Sequence, residues 1–188
     1  MNPDLKSAIL RVIPFIIVLI ILNVATKKKK INAENFFINK PVSYSKLFFW
    51  WFFFLLYVFA TEFIFFRKGV LDVTPWNHSL LPSIIIIIGS VILAPILEEL
   101  LFRGLLLQRL KKWKFNEYSA VIVQAVVFVL MHSFTYENTT ASNIGMAQTF
   151  VDGCLFAIAR ISTKSILTPV AMHSTGNLIA ILERFILC

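Results

Sequence analysis

Charged residues are scarce in this chain, and acidic residues are the scarcest. The 188 residues include 10 Asp and Glu against 18 Lys and Arg, so that charged residues make up 15% of the sequence. Ordinary soluble domains contain about 25% charged and about 45–50% apolar residues, whereas 58% of this chain is hydrophobic and its mean hydropathy is +0.79. So little polar surface cannot cover a globule of this size. The composition therefore excludes a soluble domain and predicts a multi-pass membrane protein.

Other features of soluble binding proteins and enzymes are also missing. The only two cysteines, Cys154 and Cys188, occur in no CxxC or metal-like spacing. The six glycines form no phosphate-binding loop, and no HExxH motif is present. The net charge of +8 does not indicate a nucleic-acid partner, because the basic residues lie in short clusters between apolar runs rather than in one patch. Such clusters are typical of membrane topology.

The apolar runs predict an all-α, polytopic helix bundle with about six transmembrane helices in the cell membrane. The lysine-rich connectors between runs are predicted to lie in the cytoplasm, and both termini on the opposite side. The loop at residues 133–142 contains no Lys or Arg, which also places it outside. The predicted spans are residues 8–26, 47–66, 82–110, 118–132, 144–162 and 165–187.

Two carboxylates and a guanidinium lie inside one of the most hydrophobic stretches, at Glu98, Glu99 and Arg103. A charge in hydrocarbon costs at least about 2.5–3.5 kcal/mol, so such residues face a protein interior or a water-filled cavity and indicate a functional site. Glu99 and Arg103 have the i, i+4 spacing and the orientation that favour an intrahelical ion pair. Glu98 lies about 100° further round the helix. The spacing predicts that Glu99 pairs with Arg103 and that Glu98 has partners on other helices.

Three polar side chains on other apolar helices are predicted to lie at a similar depth. Counted from the basic end of each helix at about 1.5 Å per residue, Glu98, His132, His173 and Asn177 lie roughly 12–21 Å into the apolar layer. His173 and Asn177 also share one helix face. Taken singly, such residues could be interhelical hydrogen-bonding groups. Taken together, they indicate one site.

This set of side chains suits hydrolysis by an activated water molecule. A carboxylate and a histidine can hold a water and take its proton, while a second histidine and an amide can donate hydrogen bonds to the developing oxyanion. No activated nucleophile is evident, because Ser174 has no local Asp or His partner. The predicted reaction is therefore attack by water on a peptide bond, without a cofactor. Zinc held by Glu98, His132 and His173, as in His₂Glu hydrolases, is the alternative.

The segments EELLFR, FVLMH and HSTGN resemble the EExxxR, FxxxH and HxxxN motifs of the CAAX-protease and bacteriocin-processing family, called CPBP or Abi. The three occur in the family's order on separate apolar helices, and the resemblance covers residues 84–187. It implies an intramembrane, glutamate-dependent endopeptidase that acts on a peptide or protein within or at the membrane. The substrate implied is a prenylated protein or a bacteriocin-type peptide.

The resemblance also implies a role for each motif residue. Glu98 and His132 are implied to activate the water, and His173 and Asn177 to form the oxyanion hole. The residues implied to support them are Glu99 and Arg103.

The chain is predicted to divide at residue 82. Residues 1–82 form a two-span membrane region with a basic connector, and residues 83–188 form a CPBP-like catalytic helix bundle. Two further functions stay open. One is a non-enzymatic bacteriocin-immunity protein that acts by binding, and the other is a transporter that uses the buried charges as a relay.

Overall fold

The computed structural model describes residues 2–28, 40–71, 73–133 and 137–187, and this part of the chain forms six helices and no strand. Most of the predicted basic connector lies outside the described residues. The helices are α1 (Pro3–Lys27), α2 (Tyr44–Lys68), α3 (Leu80–Lys112), α4 (Glu117–His132), α5 (Thr140–Thr163) and α6 (Leu167–Ile186). Four of them, α1, α2, α3 and α5, are long and apolar enough to cross a membrane, whereas α4 has 16 residues. The all-α membrane bundle is therefore confirmed, and the number of crossings stays a prediction.

Polar caps fix where several of these helices begin. The side-chain oxygens of Asn2, Ser43, Asn116 and Thr139 each accept a hydrogen bond from a backbone N–H in the first turn of α1, α2, α4 or α5, at 2.8–3.3 Å. Each cap satisfies one of the N–H groups that a helix leaves unpaired at its start. The end of α2 is marked by Gly69, whose φ of 65° is the left-handed conformation that glycine adopts most easily.

Three apolar clusters lie within the described part of the bundle, and the smallest, Leu100 with Ile166, packs against Leu19 and Leu22 of α1. The outer faces of α1 and α2 are apolar as well. The first cluster joins α2, α5 and α6 through Phe54, Val58, Phe156, Ala159, Met172 and Ile179. The second joins α3, α4 and α5 through Leu107, Leu110, Ala120, Val121 and Ala157. On the outer faces, Ile20 and Phe48 leave 57% and 59% of their surfaces exposed. Exposed apolar stripes of this kind suit a lipid environment.

The connectors lie at two ends of the bundle. At one end, the Val42 N–H donates to the Thr163 carbonyl oxygen at 3.1 Å. At the other end, Arg184 Nε donates to the Thr74 carbonyl oxygen at 2.9 Å. The predicted cytoplasmic connectors around residues 42 and 163 thus share one end, and the loop after α2 lies beside the end of α6. Which end faces the cytoplasm stays a prediction, as does the division at residue 82.

Helix α3 changes its hydrogen-bond register twice. Two π-helical segments, Gly89–Leu93 and Leu100–Leu106, lie on either side of Pro95 and the two glutamates. In the first, the Ala94 N–H bonds to the Gly89 carbonyl oxygen, five residues back instead of four. Such segments are rare in proteins and are frequent at functional sites.

Gly89 lets α1 approach α3 closely. A Cβ added at this position would lie 2.5 Å from Val12 Cγ2, and a β-branched valine has little rotamer freedom with which to move away. We expect Gly89→Leu to lower the free energy of unfolding by about 1–3 kcal/mol through overpacking. Equilibrium unfolding of the purified protein in detergent micelles, followed by circular dichroism, measures the change.

Gly145 offers a matched control for Gly89, because a Cβ added there meets nothing within 4 Å. Gly145→Ala should keep or raise stability, since alanine favours a helix over glycine. The close contact at Gly89 would be contradicted if Gly89→Ala were as stable as Gly145→Ala. Adding Val12→Ala to Gly89→Leu should recover part of the loss, because it removes the methyl groups in the way.

Candidate active site

Glu99 and Arg103 form a buried ion pair in α3. Arg103 Nη1 donates to Glu99 Oε1 at 2.9 Å, and both side chains are fully buried. The guanidinium Cζ lies 4.4 Å and 5.1 Å from the ring centroids of Phe128 and Phe156, within the range of a cation–π interaction. Arg103 Nη2 also donates to the Gly153 carbonyl oxygen at 3.2 Å. The predicted ion pair is therefore present, and it joins α3 to α4 and α5.

Glu99 has a second partner on α6, which its spacing from Arg103 did not predict. His173 Nδ1 lies 2.9 Å from the same Oε1 atom of Glu99. A carboxylate that is paired with Arg103 is an acceptor only, so Nδ1 carries the proton in this bond. Nε2 is then an acceptor in the neutral imidazole and a donor only in the imidazolium. The His173 ring is held further by Phe156, on which it stacks with centroids 5.1 Å apart.

Glu98 faces two histidines from different helices. Its Oε2 atom lies 3.7 Å from His132 Nε2 and 3.8 Å from His173 Nε2. Both distances exceed those of a direct hydrogen bond, and this oxygen is buried without a hydrogen-bond partner in the described part of the chain. Polar atoms from α3, α4 and α6 thus converge. Polar groups more than about 3.5 Å apart can be bridged by a water molecule.

His132 is oriented by its own helix. Its Nδ1 atom lies 2.7 Å from the Phe128 carbonyl oxygen, and a carbonyl oxygen only accepts, so the Nδ1 atom carries the proton. The imidazole of His132 and the phenyl ring of Phe128 pack with centroids 4.5 Å apart. Neutral His132 therefore presents the lone pair of Nε2 towards Glu98. The F-x-x-x-H spacing supplies both contacts, because residues four apart share one helix face.

Asn177 donates from Nδ2 to the Ser90 carbonyl oxygen at 2.7 Å. That carbonyl oxygen needs a donor from outside its helix. In the π register of Gly89–Leu93, the residue that would donate to Ser90 is five positions further on, and this is Pro95, which has no N–H. Asn177 takes the place of the missing donor. Its amide nitrogen carries a second N–H for another acceptor.

A cavity of about 290 Å³ lies beside these groups. Three of the four predicted catalytic side chains, His132, His173 and Asn177, line it, whereas Glu98 borders the imidazoles and not the cavity itself. The remaining residues of the lining are Phe54, Val58, Glu62, Phe128, Gly145, Gln148, Thr149, Asp152, Phe156, Gly176, Ile179 and Ala180.

Gln124 and Asp152 are among the polar side chains of this region that were not predicted as part of the site. Gln124 is fully buried and donates from Nε2 to the Gly153 carbonyl oxygen at 2.8 Å, the same oxygen that Arg103 binds. Asp152 lines the cavity. It precedes Phe156 by four residues, so the helical period could have placed both on one face. No sequence pattern predicts the contact of Gln124, because its partner is a backbone carbonyl group.

The three motifs fall within a stretch that matches known proteins. A family model described as "Type II CAAX prenyl endopeptidase Rce1-like" matches residues 79–179. An uncharacterized 24.3 kDa protein of Escherichia coli is 29% identical over 104 residues, which cover 54% of this chain and 46% of that protein. The chain thus spans about half the length of this curated relative. No solved structure matches the chain. The resemblance seen in the motifs is confirmed, and the chain belongs to the Rce1-like family of type II CAAX prenyl endopeptidases, which are membrane proteases.

Proposed function

We propose that this protein is an intramembrane endopeptidase in which Glu98 and His132 activate a water molecule for attack on a peptide bond. The observation that carries the proposal is the convergence of two histidine Nε2 atoms on Glu98 Oε2, at 3.7 Å and 3.8 Å. Membership of a protease family supports the class of reaction. The substrate is a peptide or protein within or at the cell membrane, in which this chain is a multi-pass protein.

Glu98 and His132 both bind and activate the water molecule in this mechanism. Glu98 Oε2 and the neutral His132 Nε2 are both acceptors, so a water between them donates both of its protons and directs a lone pair outward to the substrate carbonyl carbon. One of the two bases takes a proton as the new C–O bond forms, and the proton passes to the leaving amine as the C–N bond breaks. A positioned general base of this kind contributes about 10²–10⁴-fold to the rate.

His173 and Asn177 stabilise the oxyanion that forms on the substrate carbonyl. Asn177 contributes its second N–H, and its orientation is fixed by the bond to Ser90. His173 donates from Nε2 as an imidazolium, and Glu99, which accepts from Nδ1, supplies the counter-charge. Fixed donors at such a position act mainly on the transition state, where the negative charge develops.

Glu99 and Arg103 support the site without contacting the substrate. Arg103 holds the carboxylate of Glu99 at 2.9 Å, and Glu99 in turn holds His173 at 2.9 Å. A group that orients another side chain in this way limits the geometries that the side chain can adopt. We assign to this pair the role of keeping His173 directed at the cavity.

A zinc-dependent variant of the protease is less well supported. The Nδ1 atoms of His132 and His173 already bond to the Phe128 carbonyl oxygen and to Glu99, as the histidines of zinc sites commonly do. Among the residues that the structure describes, however, no three His, Cys, Asp or Glu side chains are arranged to hold a metal ion. The geometry thus gives zinc less support than an activated water molecule, and the proposed mechanism uses no cofactor.

Asn177→Ala is expected to lower kcat for peptide hydrolysis by about 10²–10³-fold with a smaller effect on KM. The reason is that the lost N–H acts on the oxyanion and not on the bound peptide. The protein reconstituted in liposomes is first screened against a peptide library. The peptide cleaved fastest is then used for steady-state kinetics, with products identified by mass spectrometry.

Thr175 provides the control for this variant on the same helix. Thr175→Val removes the hydrogen bond from Trp51 Nε1 to Thr175 Oγ1, at 2.9 Å, but leaves the cavity lining unchanged. It should cost stability and not turnover. A kcat for Asn177→Ala equal to that of Thr175→Val would contradict the oxyanion role. Absence of any cleavage by the wild type would contradict the proposed function itself.

A further inference from the structure

Asp152 lies in the wall of the cavity that His132, His173 and Asn177 also line, and the hydrolytic mechanism gives it no task. Phe156 lies one turn further along the same face of α5, and its ring stacks on His173 with centroids 5.1 Å apart. Residues i and i+4 lie about 5–6 Å apart on a helix surface. Asp152 therefore lies one helical turn from the ring that packs on His173.

One carboxylate oxygen of Asp152 is left without a donor. The Tyr57 hydroxyl lies near this carboxylate, but Asp152 Oδ1 is buried and has no hydrogen-bond partner within the described residues. A buried carboxylate oxygen without a donor is unfavourable, more so at membrane depth, where water is scarce. A ligand that brings its own donor into the cavity removes this cost.

The charges around the cavity favour a cationic ligand. Although the chain has a net charge of +8, Glu62 and Asp152 line the cavity, and none of the residues lining it is Lys or Arg. The buried cation Arg103 is already bonded to Glu99 at 2.9 Å. A cationic group that enters the cavity therefore meets the carboxylates of Glu62 and Asp152 and no lysine or arginine from its walls. The positive charge assigned to His173 is compensated by Glu99, which lies 2.9 Å from its Nδ1 atom.

We infer that Asp152 is a specificity-determining residue that binds a Lys or Arg side chain of the peptide substrate, close to the bond that is cleaved. The inference rests on the proposed function, because it locates the cationic side chain relative to the peptide bond that Glu98 and His132 hydrolyse. A lysine side chain spans roughly 6 Å from Cα to its ammonium group. This reach is comparable to the one-turn separation between Asp152 and Phe156, whose ring packs on His173. The resulting charge-assisted hydrogen bond supplies the donor that Asp152 Oδ1 lacks.

Pairs of peptides that differ only in lysine or norleucine at one position test this inference. Norleucine keeps the apolar stem and lacks the charge. The position of the lysine relative to the cleaved bond is varied, and the peptide pair cleaved fastest is compared in liposomes of neutral lipid. For that pair, we expect the wild type to cleave the lysine peptide with a kcat/KM about tenfold or more above that of the norleucine peptide. Asp152→Asn should cleave both at the rate of the norleucine peptide. An equal lysine preference in the wild type and Asp152→Asn, or none in the wild type, would overturn the inference.

Two further variants separate binding of the cation from effects on folding. Thr149→Val changes a neutral residue that lines the same cavity from the same helix, and it should keep the lysine preference. Asp152→Glu retains the negative charge and should also keep a preference, even if Asp152→Asn folds poorly. Loss of the preference in Thr149→Val, or its absence in a folded Asp152→Glu, would count against a specific role of the Asp152 carboxylate.

Equilibrium binding separates failure of this inference from failure of the proposed function. Fluorescent lysine and norleucine peptides are titrated into Glu98→Gln, which retains the cavity, and into the double variant that also carries Asp152→Asn. We expect the lysine peptide to bind about tenfold tighter to the first and equally to the second. Such a binding difference without cleavage by the wild type would overturn the protease function and leave the cation site standing. Cleavage without any lysine preference would overturn the cation site and leave the protease function standing.

Discussion

Glu98→Gln is expected to lower kcat for peptide hydrolysis by about 10²–10⁴-fold, the contribution of a general base. Glutamine has the same shape but cannot take a proton from water. Its side chain still fits between the two imidazoles that lie 3.7 Å and 3.8 Å from Glu98 Oε2. KM should change little, because Glu98 does not line the cavity. The measurement is steady-state cleavage of the peptide found by library screening, with the protein in liposomes.

Glu62 is the matched control for Glu98, since it is a second carboxylate beside the cavity. Glu62 Oε1 accepts a hydrogen bond from Gln148 Nε2 at 2.8 Å, and the carbonyl oxygen of a glutamine can accept the same bond. Glu62→Gln should therefore keep nearly all of the wild-type kcat. Undiminished turnover by Glu98→Gln, in a sample as well folded as Glu62→Gln, would end the proposed mechanism.

Two tests separate the proposed enzyme from its alternatives: treatment with a metal chelator, and toxin protection by variants of Glu98 and His132. A glutamate mechanism predicts that wild-type cleavage survives treatment with a metal chelator, whereas a zinc enzyme loses activity and regains it when Zn²⁺ is restored. An immunity protein that acts by binding would protect cells from a toxin equally well with Glu98→Gln and with His132→Ala. A proteolytic role in protection requires both residues.

The fold and the local part of the site follow from the sequence because both depend on neighbouring residues. Apolar runs bounded by basic clusters predicted the helices, and α1 to α6 occupy the six predicted segments. The Glu99–Arg103 pair was predictable because i, i+4 contacts depend on helix geometry alone. The shared depth of Glu98 and the two histidines was predictable for the same reason, since the rise per residue is fixed.

The contacts between helices could not be predicted, because they depend on how each helix is rotated about its axis. The sequence does not show that His173 turns its Nδ1 atom towards Glu99, and this contact decides which nitrogen faces the cavity. Side-chain contacts to backbone carbonyl groups are harder still to predict, because every residue has a carbonyl oxygen. The bond from Asn177 to the Ser90 carbonyl oxygen is an example. In a regular α-helix Ala94 would donate to Ser90, and only the π register, which the sequence does not show, puts Pro95 in the donor's place.

Arg103→Met is expected to lower the free energy of unfolding by about 3–5 kcal/mol, the cost of removing one partner of a buried ion pair. Methionine fills much of the same volume but leaves the carboxylate of Glu99 fully buried, without the guanidinium that now lies 2.9 Å away. It also gives up the bond to the Gly153 carbonyl oxygen. Equilibrium unfolding in mixed micelles, followed by circular dichroism, measures this loss.

The double variant Arg103→Met with Glu99→Gln shows where the cost arises. If it comes from the uncompensated charge of Glu99, the double variant should be more stable than Arg103→Met alone, because the glutamine oxygen accepts from a neutral His173 and no buried charge is left unpaired. Arg109→Met is the control on the same helix. That side chain is exposed and contacts only the Trp113 ring among the contacts described, at 5.4 Å, so its loss should stay within about 0.5 kcal/mol. Equal losses in Arg103→Met and Arg109→Met would contradict a buried pair. A double variant no more stable than Arg103→Met would assign the cost to the aromatic and carbonyl contacts of Arg103 instead of to the charge of Glu99.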